Sequence, residues 1–284
     1  MDFKEYLRAN LPAVESFHPH YQKALKETML CGGKYFRPAL VFAACGGIAP
    51  ESVESSFPAA LAVEMLHTYS LVHDDLPAMD DADLRRGRAT LHKTYNEVTA
   101  ILVGDALNTH SFYVLAASNL PDKTKTALIE TLSFNGGAGG MVLGQALDCH
   151  FEGVRLPLDR LEFIHIHKTA MLIAASLKMG AIVALAAEAL CGKLYDLGLR
   201  IGLFFQIRDD IIDATEDEKS AGKSVRQDSG KNSYVTLLGL EGAKERLDRS
   251  AEEIREKTRS LPYNLPATIS NALKGYLQPL PHHN

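Results

Sequence analysis

Two stretches of this 284-residue chain gather carboxylates at spacings that suit cation binding. Asp209, Asp210 and Asp213 form the pattern DDxxD. On a helix advancing about 100° per residue, Asp209 and Asp213 stack on one face, and Gln206 shares it. The other cluster, Asp74, Asp75 and Asp80, is wider and contains Pro77. Proline has no N–H to continue a helix, so the spacing predicts a stop there, with the chain curling back to bring Asp80 near Asp74. Stacked carboxylates repel one another unless a cation compensates them. Oxygen donors without neighbouring Cys or paired His select a hard ion, and Mg²⁺ takes one or two carboxylates, keeps water and completes its shell with phosphate oxygens. An EF-hand does not fit, because Met79 stands where its glycine would be and Arg85 where its glutamate would be. Each cluster alone also fits a solvated helix end; two of them, with apolar residues inside, fit that reading less well.

Cations stand where a polyanion would need them. Arg85, Arg86 and Arg88 follow the first cluster, and Gly32-Gly33-Lys34-Tyr35-Phe36-Arg37-Pro38 places two cations at the start of a helix. Guanidinium suits bidentate phosphate contact, and a helix N-terminus adds backbone donors. Gly222-Lys223 and Gly230-Lys231 follow the second cluster, but GxxxxGK[ST] is absent and no strand precedes them, so neither is a P-loop.

The elements that must carry these residues read as helices. Apolar residues recur at three and four positions, with almost no strict alternation. One helix is predicted from Pro58 towards Asp75, with Pro77 as its stop. Others are expected after Asp105 through Phe112 and Leu115, over Asn135–Asp148, after Pro157 with Asp159 as N-cap, and over Leu194–Asp213. No Gly/Ser/Pro-rich linker divides them, so the chain reads as all-α, one domain over 1–284, a helical bundle whose sites are built from inward-facing side chains. Hydrophobic residues make up 46%, which excludes disorder as the dominant state, and 30 Lys plus Arg against 35 Asp plus Glu give a net charge of −5. Nothing global draws the chain to nucleic acid or an anionic membrane, so any anionic ligand must be handled locally. Cys31, Cys45, Cys149 and Cys191 are far apart, which predicts buried free thiols and neither disulfides nor zinc. The start Met-Asp-Phe-Lys-Glu lacks a secretory pattern, and the longest uncharged stretch, Thr131–Leu147, carries Asn135, Gln145 and five glycines. The expectation is a cytoplasmic protein without a membrane span.

Taken in order, the motifs resemble those of the trans-prenyl diphosphate synthases, most closely the bacterial farnesyl diphosphate synthases. They are GGKYFRP at Gly32, EMLHTYSLVHDDLPAMDDADLRRGRATLH from Glu64, GDAL at Gly104, GGMVLGQALD at Gly139, HKTAMLI at His167, FQIRDDIID at Phe205 and GKNSY at Gly230, so the similarity spans nearly the whole chain. The resemblance implies an all-α bundle with a deep central cavity, a homodimer, and two aspartate motifs facing across the cavity mouth.

It also implies roles. Asp74 and Asp80, supported by Asp75, match ligands of two Mg²⁺ ions, and Asp209, with Asp210 and Asp213 nearby, matches the ligand of a third. Lys34, Arg37, His67 and Arg86 match positions that bind isopentenyl diphosphate. Arg85, Lys168 and Lys223 match those that grip the allylic diphosphate, with Thr169 and Gln206 beside the reacting carbon. His67 precedes Asp74 by seven residues and so shares its helix face. Tyr69 and Ser70 match the floor of the tail pocket, where a large ring limits the product to fifteen carbons; a geranylgeranyl diphosphate synthase would differ there. A non-catalytic subunit would have lost metal aspartates that this chain keeps. The chain departs from the family at Tyr35, where a basic residue is usual, at Phe36, where an aliphatic one is usual, at Ala82 and over 216–227, which leaves Lys223 the loosest match.

Overall fold

The structure, a computed structural model, describes residues 2–220 and 232–277, without the side chains of 216–220; Lys223 lies outside the described residues. In chain order come α1 (Phe3–Ala9), α2 (Tyr21–Leu30), α3 (Phe36–Ile48), α4 (Phe57–Asp74), a small hairpin of β1 (Leu84–Arg85) and β2 (Arg88–Ala89), α5 (Leu91–Thr94) and α6 (Glu97–Ala116). There follow α7 (Asp122–Gly136), α8 (Met141–His150), α9 (Leu158–His165), a π-helical turn (Ile166–Ala170), α10 (Met171–Val183), α11 (Glu188–Ser220), α12 (Tyr234–Arg259) and α13 (Leu265–Leu273). The fold is all-α, as the periodicity predicts.

Helix α4 begins at Phe57 with Pro58 in its first turn and closes at Asp74, with Asp75 as its cap, in keeping with Pro77 as a stop. Four other elements differ from expectation. Helix α6 starts at Glu97, before Asp105, because the Asn96 side chain accepts from the Thr99 N–H at 2.8 Å and caps it. The helix expected over 135–148 is two helices, since the glycine run 136–140 ends α7 and α8 restarts at Met141. At Gly140 a Cβ would overlap the carbonyl oxygen of Asn135, so that bend requires glycine. Pro157, in extended conformation, is the residue that opens α9, and Asp159 lies within its first turn. Helix α11 runs 33 residues, longer at both ends than 194–213.

Helix α10 occupies the middle, packed on α3, α4, α7 and α11. Its Leu172 and Met179 join a core with Leu61, Met65 and Leu66 of α4 and Leu107 of α6. Its Ile173 and Leu177 join another with Leu194, Leu197, Ile201 and Phe204 of α11. The segment Leu158–Val183 is long and apolar enough to cross a membrane, but 67% of its most apolar window is buried within the fold, as in a core helix. One crossing is very close. Gly198 and Gly202 of α11 sit four residues apart against Ala174 and Ala170, and a Cβ at either glycine would overlap alanine backbone. That contact sets the spacing between α11 and the π-helical turn.

Candidate active site

The turn Gly32–Tyr35 leads into α3 with Tyr35 in the left-handed region (φ 45°), placing Lys34 before the helix and Arg37 in its first turn. Arg86, also left-handed (φ 54°), turns back from the hairpin so that its guanidinium donates to the Gly32 carbonyl and occupies the space a Gly33 side chain would take. These groups, with His67 of α4, Arg85, Thr169, Gln206 and Asp209, line one cavity of about 790 Å³. The chain therefore brings together residues more than 170 positions apart in sequence, from Lys34 to Asp209.

The cradle's charges are partly hidden from water. Burial draws the Arg37 guanidinium down to about 10, still cationic at neutral pH. Burial, with Arg37, Arg86 and Arg85 adding repulsion, holds His67 well below the ordinary imidazole range, so it faces the cavity neutral. Lys34 lies 5.4 Å from the Tyr276 ring centroid, a cation–π arrangement.

The first aspartate cluster does not line this cavity, though Arg85, which does, pairs with Asp75; the cluster curls as its proline predicts, the Asp80 N–H donating to the Asp74 carbonyl at 3.0 Å. Burial raises the Asp74 carboxyl, Lys168 opposes and Asp80 reinforces. Asp75 is buried and turned to Arg85, whose Nε lies 2.6 Å from its Oδ1. In the second cluster, partial enclosure and Asp213 push Asp209, at the exposed lip, up to about 6, against Arg208 and Lys34. Asp210 is pushed up to about 7 by burial and by Asp213, Asp209 and Asp148, against the Tyr234 N–H that donates to it at 2.7 Å.

Between the clusters stand Lys168 and Thr169 on the π-helical turn, a local widening of the helix frequent at functional sites. Lys168 Nζ lies 2.6 Å from Asp148 Oδ2; burial pulls its ammonium down, but Asp148 and Asp74 outweigh burial and hold it above the ordinary value. The Thr169 hydroxyl donates to Gln206 Oε1 at 2.7 Å. Tyr69, 8% exposed, packs edge-on to His73 with ring centroids 5.5 Å apart, and the Ser70 hydroxyl donates to the His67 carbonyl at 2.8 Å.

Sequence reasoning left Gln145, Asp148 and Glu64 without roles. The Gln145 amide donates to Asp74 Oδ1, and Asp148, three residues on and so on the same face of α8, holds Lys168. Glu64, 4% exposed, lines the cavity three residues before His67. Glu64 carried a local signal in its i,i+3 spacing to His67; Gln145 and Asp148 are three apart only from each other, so no known functional position beside them marked either. The expectation of buried thiols fails for Cys149, which is exposed at the end of α8 beside Gln145.

The donor set fits a hard divalent cation. Its carboxylates are oxygen-only and sit raised, short of compensating charge, on two walls. Among the described residues no three His, Cys, Asp or Glu side chains converge into a closed metal cage. An ion here would complete its shell with water and phosphate oxygens, which is Mg²⁺ behaviour.

Comparison with known proteins agrees with this architecture. Residues 18–265 match the family model for polyprenyl synthetase. The chain is 40% identical over 265 residues to the farnesyl diphosphate synthase of Micrococcus luteus, covering 92% of this chain and 90% of that one. It is 42% identical over 276 residues to geranylgeranyl pyrophosphate synthase 11 of Arabidopsis thaliana, covering 90% and 76%. A crystal structure of the Helicobacter pylori geranyltransferase, complexed with magnesium and isoprenyl diphosphate, superposes with a TM-score of 0.88 at 45% identity over 96% of this chain and 93% of that one. With a family model covering most of its length and relatives of this similarity, the chain belongs to the polyprenyl synthetase family.

Proposed function

We propose that this chain is a Mg²⁺-dependent prenyltransferase that joins isopentenyl diphosphate to dimethylallyl or geranyl diphosphate, giving farnesyl diphosphate and pyrophosphate. The observation that carries the reading is one cavity lined by the cations Lys34, Arg37, Arg85 and Arg86 and by Asp209 of the second cluster, with the first cluster joined to its edge through the Asp75–Arg85 pair and the carboxyls of both clusters raised by burial first and by neighbouring carboxylates second. Lys34, Arg37, His67 and Arg86 take the diphosphate of the attacking substrate, His67 as a neutral hydrogen-bonding group. Asp74, Asp80 and Asp209, with Asp75, Asp210 and Asp213 in support, would hold the Mg²⁺ ions, three by the family pattern, at the allylic diphosphate, and Arg85, Lys168 and Lys223 would grip it as well. When bound, the ions neutralise the departing pyrophosphate.

Lys168, kept cationic by Asp148 and Asp74, adds charge where the allylic carbon–oxygen bond breaks. Thr169 and Gln206, fixed by their mutual hydrogen bond, turn partial negative charge to the resulting allylic cation. The isopentenyl double bond attacks that cation, a proton leaves to the released pyrophosphate, and the chain has grown by five carbons. Tyr69 and Ser70 set the floor of the tail pocket, which favours the fifteen-carbon product over the twenty-carbon one of the geranylgeranyl relatives.

The same reading makes the chain one domain, cytoplasmic, and a homodimer. Helix α6 turns Val98, Ile101, Leu102 and Tyr113 outward, all more than 40% exposed, a face that a second copy would cover. The test is purified protein with Mg²⁺, labelled isopentenyl diphosphate and geranyl diphosphate, with products separated by chain length. A fifteen-carbon product is expected. Twenty-carbon product alone overturns the pocket assignment, and no condensation under any divalent metal overturns the enzyme.

A further inference from the structure

One motif from the sequence finds no use in the reaction above: the residues that open α12. Asn232 spends its whole amide on a distant loop. Its Nδ2 donates to the carbonyls of Val154 at 2.7 Å and Phe151 at 3.3 Å, and its Oδ1 accepts from the Leu156 N–H at 2.8 Å. All three partners lie between α8 and α9. Two residues on, the Tyr234 N–H donates to Asp210 Oδ2 at 2.7 Å, and the Tyr234 ring is fully buried.

The loop so held connects the two helices that flank the allylic side. Helix α8 supplies Gln145 to Asp74 and Asp148 to Lys168, and α9 runs into the π-helical turn that carries Lys168 and Thr169. We propose that Asn232 is a positioning residue, a clasp that fixes the α8–α9 loop to the start of α12 and thereby sets the second aspartate cluster at its working distance from Asp148 and Lys168. It touches no substrate position. It acts by registering two walls that carry opposite halves of the allylic diphosphate and cation site. The Lys34–Arg37–Arg86 cradle belongs to α3 and the hairpin, outside this clasp.

The inference rests on the function proposed above, and two variants test it in the full chain. Asn232→Ala removes all three bonds; Asn232→Asp keeps the acceptor for the Leu156 N–H but loses both donors. In the protein without metal or substrate, hydrogen exchange at the amides of Leu156 and Tyr234 should speed by about tenfold in Asn232→Ala, the equivalent of about one hydrogen bond of ordinary net strength. Binding of Mg²⁺ with inorganic pyrophosphate, measured by calorimetry without turnover, should weaken by a similar factor. In turnover, the Mg²⁺ concentration for half-maximal rate and KM for geranyl diphosphate should rise while KM for isopentenyl diphosphate stays put, with Asn232→Asp intermediate. Faster exchange at Leu156 alone, with Tyr234 exchange and Mg²⁺–pyrophosphate binding unchanged, overturns the clasp and leaves Asn232 a loop staple. An equal rise in both substrates' KM values overturns it too. An inactive wild type is a failure of the proposed function, and the exchange and pyrophosphate measurements still decide the clasp.

Discussion

Gly202→Ala is the most demanding perturbation of this site, because it adds one methyl group to a wall that has no room for it. The new Cβ would overlap Ala170 Cα and Cβ, which are backbone and stub and cannot swing aside. The π-helical turn and α11 must part by on the order of 1 Å, at a cost of roughly 1–3 kcal/mol for overpacking. The Thr169–Gln206 bond, 2.7 Å in the native chain, spans the same crossing. A retreat of that size carries it to about 3.7 Å, beyond hydrogen-bond range. Misplacement by ~1 Å can cost on the order of 10²-fold in rate, so kcat should fall about that far while KM for isopentenyl diphosphate holds, its cradle lying on α3, α4 and the hairpin. Gly192→Ala on the same helix is the control: a Cβ there meets nothing, and helix propensity should add roughly 0.5–1 kcal/mol of stability with full activity. Rates come from labelled isopentenyl diphosphate at saturating geranyl diphosphate, and stabilities from urea denaturation. A Gly202→Ala protein that loses the expected stability yet keeps wild-type kcat would refute the link between this crossing and the chemistry.

Other outcomes follow from the same geometry. Tyr69→Ala should lengthen the main product to twenty carbons, read by chromatography; unchanged output removes Tyr69 from the pocket floor. Asp210, raised to about 7 when folded, is already ionised in the unfolded chain near neutrality, so the native state holds more protons there and stability without metal should fall as pH rises from 6.5 to 8. Thermal melts should show that slope and Asp210→Asn should flatten it; a slope unaltered by the substitution points to other groups. Ile101→Asp on the outward face of α6 should convert a dimer to monomer by light scattering, and a wild type that is monomeric at micromolar concentration contradicts the proposed homodimer.

Much of this protein was legible in its residue order. Helical periodicity announced an all-α chain, Pro77 announced the end of α4, and the acidic runs announced cation binding, since each depends on neighbours within a turn or two. Boundaries were less legible where a cap or a glycine run decides them, as at Asn96 and Gly136–Gly140. Asp148 was hidden for a different reason. Its meaning is its pairing with Lys168, twenty positions away, and nothing local marks it.

The tertiary structure alone decided which charges face one another. It turned Asp75 towards Arg85, wound Ile166–Ala170 into a π-helical turn, and used Gly198 and Gly202 to press α11 close enough for Gln206 to meet Thr169. It also raised Asp209 and Asp210, because burial and like-charge crowding are properties of the assembled walls. Sequence determines what each helix can present on its own surface, through propensity and spacing. Distances between helices depend on packing among residues far apart in the chain, and in this site those distances set both the charge balance and the geometry of the reacting carbon.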